Sequence, residues 1–129
     1  MTTATKSEAY LKGEALCKQL HGEHSGDQMV RELQDICPDH IGQIYEWAFT
    51  GIMARPGLDI LTREYLIIAS CVTLGYATQQ LKAHIEAALS AGGTKEQIVE
   101  VILQMLFYAG GAATSNALRA AKEVFNNSH

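Results

Sequence analysis

Apolar residues along this chain recur at intervals of three and four instead of alternating, the spacing of helices with one buried side. A first amphipathic helix is expected over about residues 5–21, TKSEAYLKGEALCKQLH, with HSGD breaking it. A shorter helix over about 27–36 ends before Pro38, because a proline pushes the residue preceding it out of helical geometry. PDHIGQIYEWAFTGIMA then carries a helix over about 38–53, with Ile41, Ile44, Trp47 or Ala48, and Ile52 on its apolar side.

The Pro-Gly of RPGLD is a turn signal. The next helix opens at Leu61, with Asp59 or Thr62 as its N-cap, and Gly75 is placed to end it. QQLKAHIEAALSAGG follows, closing at Gly92-Gly93. It lines Leu81, Ile85, Ala88 and Leu89 on one face and puts Lys82 and Glu86 on the other, with His84 at the border. Thr94 stands three residues before Gln97, a capping-box spacing, and opens GTKEQIVEVILQMLFYAGG. AATSNALRAAKEVF leads to a frayed NNSH end. Six or seven helices with no convincing strand make a single all-α domain over 1–129.

The helices over 61–74 and 97–108 are apolar on more than one face, and 129 residues are too few to surround both. Self-association is the expected cover. The formal charge of -4 and the lack of any basic run argue against nucleic acid or an anionic membrane as partner. No apolar run approaches the roughly 18 residues of a membrane span. MTTATKSEAY lacks the features of a signal peptide, so a cytoplasmic location is expected. Cys17, Cys37 and Cys71 form no CxxC, no finger spacing and no disulfide framework, and are read as reduced thiols.

Motifs for nucleotide binding, serine hydrolysis and zinc peptidases are absent. His21 and His24 lack a third ligand, so neither a metal nor a cofactor is expected, and His40 is read as a cap at its helix start. Glu64 lies in the first turn of an apolar helix, and its carboxylate has two readings, outward into solvent or inward along the face of Ile68 and Cys71. His84 is either a border histidine bonded to a backbone carbonyl or a catalytic group. A histidine with a glutamate and Arg55 suggests acid–base work on an anionic substrate, though spacing alone does not bring the three together.

The ordered run of RPGLD, the LTRE helix opening, Q-L-x-x-H, G-x-T-x-E-x-I-x-E and Y-A-G resembles the carboxymuconolactone decarboxylase family, within the alkylhydroperoxidase-D-like superfamily. It covers residues 38–125 well and 5–37 more loosely. The resemblance implies an all-α fold that assembles as trimers or hexamers. Peroxidase-type members carry C-x-x-C-x-x-x-H; the two cysteine positions here are Ala77 and Gln80, so thiol peroxidase chemistry by that motif is excluded. Decarboxylase-type members keep the histidine without the thiols. The resemblance therefore implies a cofactor-free decarboxylase for a small anionic lactone, with His84 and Glu64 catalytic and Arg55, Gln80 and Trp47 binding substrate. The alternative is a non-catalytic helical oligomer or ligand-binding module of the same fold. WAFTG, with Thr50 beside Gly51, and the connection before His84 depart from the family pattern and bear on the substrate more than on the chemistry.

Overall fold

A computed structural model describes residues 6–127, which form eight α-helices and one π-helix in two compact units, 6–57 and 58–127. Thr5, Ser128 and His129, included in the expected terminal segments, lie outside the described residues.

In the first unit Ser7 caps α1 (Glu8–His21), its Oγ accepting from Tyr10 N at 3.0 Å. The helix stops at Gly22, whose φ of 79° lies where side-chain-bearing residues rarely go. Helix α2 (Glu23–Leu33) starts immediately and runs through HSGD, so the expected breaker sits inside a helix. One glycine at the right dihedral ends α1 where four weak helix formers do not, and Glu23 favours a new start against the helix dipole. Helix α2 also ends earlier than expected, with Cys37 N returning to Leu33 O at 2.8 Å. Helix α3 (Pro38–Gln43) begins at Pro38, where a missing N–H has no intrahelical role. His40 does not cap it; the imidazole lies within the helix, its Nδ1 3.0 Å from Gln43 Oε1.

The expected α-helix over 44–53 is instead a π-helix (Ile44–Met53), ending with Ala54 N donating to Phe49 O, five residues back, at 2.9 Å. Its buried row is Tyr45, Phe49 and Met53, continuing from Ile41 of α3. A four-residue repeat drifts one way around an α-helix of about 3.6 residues per turn, and the wider π-helical turn changes the angle between successive residues and so the face each one meets. Trp47 and Ile52, expected on the apolar side, consequently face outward, Trp47 with 73% of its surface exposed. Helix α1 lies directly on the π-helix backbone at Gly13, where a Cβ would stand 1.8 Å from Tyr45 O. Thr50 Oγ1 donates to Ala9 O at 2.6 Å beside this contact.

In the second unit Asp59, not Thr62, caps α4 (Ile60–Leu74): its Oδ1 accepts from Thr62 N at 2.7 Å. This bond holds the Asp59 carboxyl below its ordinary pKa. Gly75, at φ 78°, ends the helix as expected, and the connection at 75–77 folds α5 (Thr78–Ser90) back on α4. The Thr94–Gln97 capping box opens α6 (Lys95–Gln104). The single helix expected through Tyr108 divides at Met105. Its carbonyl accepts from Tyr108 N and Ala109 N at 3.0 and 2.7 Å, closing the short α7 (Leu106–Ala109) before α8 (Gly111–Asn127). Asn126 and Asn127 are helical, not frayed.

The core of this unit joins Ile68 and Val72 of α4, Ile85 and Ala88 of α5, Ile98 and Ile102 of α6, and Ala121 of α8. The alanines let the helices approach closely, and a Lys82–Glu123 ion pair ties α5 to α8 at the surface. The apolar excess read in the sequence lies outside this core: Leu66, Leu103 and Tyr108 are exposed, and Phe107 is 92% exposed. Among the described residues no helix is long and apolar enough to cross a membrane.

Candidate active site

The interior of the second unit contains one carboxylate that its helix would ordinarily turn to water. Glu64 follows the Asp59 cap by five residues, so it lies more than one turn into α4, on the row continued by Ile68 and Cys71. That row faces inward, and Glu64 is 0% exposed. Of the two readings open for this residue, the inward one holds.

Its partner is His84, carried on α5. Nδ1 of the imidazole lies 2.7 Å from Glu64 Oε2. A carboxylate oxygen accepts, so Nδ1 carries the hydrogen and Nε2 is the nitrogen directed away from Glu64. The imidazole side chain retains 21% of its surface. A buried anion is therefore held by a ring that still reaches the exterior. Glu64 Oε1 has no hydrogen-bond partner among the described residues.

Tyr65 was not singled out by the sequence reading. Its hydroxyl donates to Gln97 Oε1 at 2.8 Å, while the same oxygen accepts from Thr94 N at 3.2 Å. A tyrosine in a helix that is apolar nearly all round carries no spacing signal for a partner 32 positions away. His21, read within a polar stretch, is buried at the end of α1, its ring edge-on to Phe49 at 5.7 Å.

The other expected site residues are distributed as follows. Gln80 lies one turn before His84 on α5 and is exposed. Arg55, exposed in the turn after the π-helix, and Trp47 both belong to the first unit. Ala77, buried, and Gln80 occupy the positions that would carry the thiols of a CxxC. Cys71 is on the Glu64 row, but burial pushes its thiol pKa up and the Glu64 charge adds to the shift. Burial, with Glu14 adding to it, raises Cys17 to about 11. Neither buried thiol supplies a thiolate nucleophile near neutral pH. Within the second unit Glu64 and His84 bond to each other. An imidazole held by a carboxylate can take up and release a proton at its other nitrogen.

The sequence pattern of the carboxymuconolactone decarboxylase family matches residues 42–123. A protein named 4-carboxymuconolactone decarboxylase from Acinetobacter baylyi is 31% identical over 120 residues, covering 93% of this chain and 89% of that relative. An uncharacterized 15.0 kDa protein from the nqo9-nqo10 intergenic region of Paracoccus denitrificans is 34% identical over 97 residues, covering 74% of this chain and 72% of its own length.

Proposed function

Because the chain belongs to the carboxymuconolactone decarboxylase family, we propose that it is a cofactor-free decarboxylase acting on a small anionic unsaturated lactone or related ring acid. The observation that carries this reading is the 2.7 Å contact between a partly exposed imidazole and a fully buried carboxylate. The absence of thiols at Ala77 and Gln80 supports proton chemistry over peroxide reduction.

Breaking the bond between ring carbon and carboxylate releases carbon dioxide and leaves an electron pair. The conjugated carbonyl of the lactone takes up that pair as an enolate, so no cofactor is needed as electron sink. The protein's work is to hold the acid, stabilise the oxyanion and return one proton to carbon. In this reading the imidazolium of His84 supplies that proton from Nε2 and recovers it from solvent. Glu64, hydrogen-bonded at Nδ1, orients the ring and stabilises its charged form. Arg55 holds the substrate carboxylate in bidentate fashion, with Gln80 and Trp47 as further contacts. These three roles rest on the family resemblance and on the exposure of the side chains.

An ultraviolet assay with 4-carboxymuconolactone and a panel of unsaturated lactone acids tests the reading. Turnover of at least one, lost in His84→Ala, is the expected result. Ordinary turnover by that variant would remove the mechanism.

The proposal includes self-association, as a trimer or hexamer. Leu66, Leu103, Phe107 and Tyr108 leave apolar surface in water that a further copy of the chain would cover. A cytoplasmic location belongs to the same reading.

A further inference from the structure

Helices α4 and α5 form a hairpin joined at one end by the connection at 75–77. Glu64 lies toward the opposite, open end of α4 and His84 at the middle of α5, and no short connection links the two helices at that end. Apolar contacts along the hairpin are non-directional and allow one helix to slide slightly on the other. A hydrogen bond at 2.7 Å does not, because its strength depends on both distance and angle.

Directional contacts do hold that open end. The Tyr65 hydroxyl, on the residue after Glu64, bonds Gln97 Oε1, which also closes the capping box of α6. Gly93 lies between α5 and that box. A Cβ there would stand 2.6 Å from the Tyr65 hydroxyl oxygen and 2.9 Å from both Leu61 Cδ1 and Ala88 O. The turn leaving α5 is thus seated against the first two turns of α4, with glycine making room for the phenol. Burial raises the Tyr65 pKa, so the phenol stays a donor across the working pH range.

We propose that Tyr65 is a positioning residue for the His84–Glu64 pair: its bond to Gln97, with the turn at Gly93, sets the register at which Glu64 Oε2 meets His84 Nδ1. This inference rests on the catalytic reading of the pair, and its physical content is separately measurable.

The test uses the full chain and the variants Tyr65→Phe and Gln97→Met, which remove the donor and the acceptor. Nitrogen-15 NMR of His84 Nδ1 is followed through a pH titration, alongside kcat and KM on whichever lactone acid is turned over. Both variants are expected to shift the Nδ1 resonance toward its position in Glu64→Ala. They should lower kcat about tenfold with KM little changed. Gln97→Glu, which keeps an acceptor oxygen, should restore the resonance. In a Glu64→Ala background, which lacks the contact, Tyr65→Phe should add no further loss, because the two act through one contact. Ile98→Val, which loosens the same core without touching the hydroxyl, should lower Tm and leave the resonance in place. An unmoved resonance in both Tyr65→Phe and Gln97→Met overturns the proposal, as does a loss that adds fully to Glu64→Ala. If the wild-type chain turns over none of the acids, the decarboxylase reading fails while the NMR comparison still decides the positioning claim.

Discussion

His84 Nδ1 and Glu64 Oε2, 20 residues apart in the chain, meet at 2.7 Å with the carboxylate out of reach of water and the imidazole within reach of it. The anion has no bulk solvent to stabilise it and depends on this ring.

That dependence separates the two partners under mutation. In Glu64→Gln the amide oxygen still accepts from Nδ1, so the fold should persist while kcat falls about 10- to 100-fold, the imidazolium having lost its counter-charge. Glu64→Ala leaves a small cavity and an imidazole without its acceptor, at about 1–3 kcal/mol. Denaturant unfolding beside the lactone assay distinguishes these outcomes. Equal activity in Glu64→Gln and wild type would show that the charge is not used.

The buried thiols make a pH-dependent prediction. Cys17 is raised from 9.0 to about 11, so the folded state keeps its proton where the unfolded chain releases it. The contribution is fully present below pH 9 and is lost as pH rises toward 11. Cys17→Ala should therefore weaken the alkaline fall in Tm over that window. A thiol reagent at neutral pH should label exposed Cys37 first and leave Cys17 and Cys71 unmodified until unfolding, as read by mass spectrometry.

Gly13 tests the packing of α1 on the π-helix. Its missing side chain gives space to a backbone carbonyl, which cannot rotate away as a side chain could. Gly13→Ala should cost about 3 kcal/mol, the upper part of the overpacking range, despite alanine's better helix propensity. Thermal unfolding checks this, and an unchanged Tm would mean that the two helices separate easily.

The exposed ring of Phe107 tests association. Phe107→Asp should lower the sedimentation coefficient toward that of the monomer, with the helical circular dichroism retained. A wild-type chain that already sediments as a monomer would remove the association argument.

How much of this was legible beforehand follows from the range of each interaction. Thr94 with Gln97 and Gly75 at its helix end each involve neighbours within one turn, so residue type and spacing predict them, while the same rule left the α4 cap open between Asp59 and Thr62. The all-α class follows from the same local periodicity. HSGD misled because propensity is weak beside one glycine with a positive φ at Gly22. The outward turn of Trp47 was hidden because a π-helix alters the angle between successive residues, and an α-helical wheel assumes that angle. Helix α4 is apolar nearly all round, so the direction of Glu64 could not be deduced from its own helix. Residue types at positions 64 and 84 thus determined the chemistry available, whereas only the folding of α5 onto α4 placed an imidazole nitrogen against a carboxylate that water does not reach.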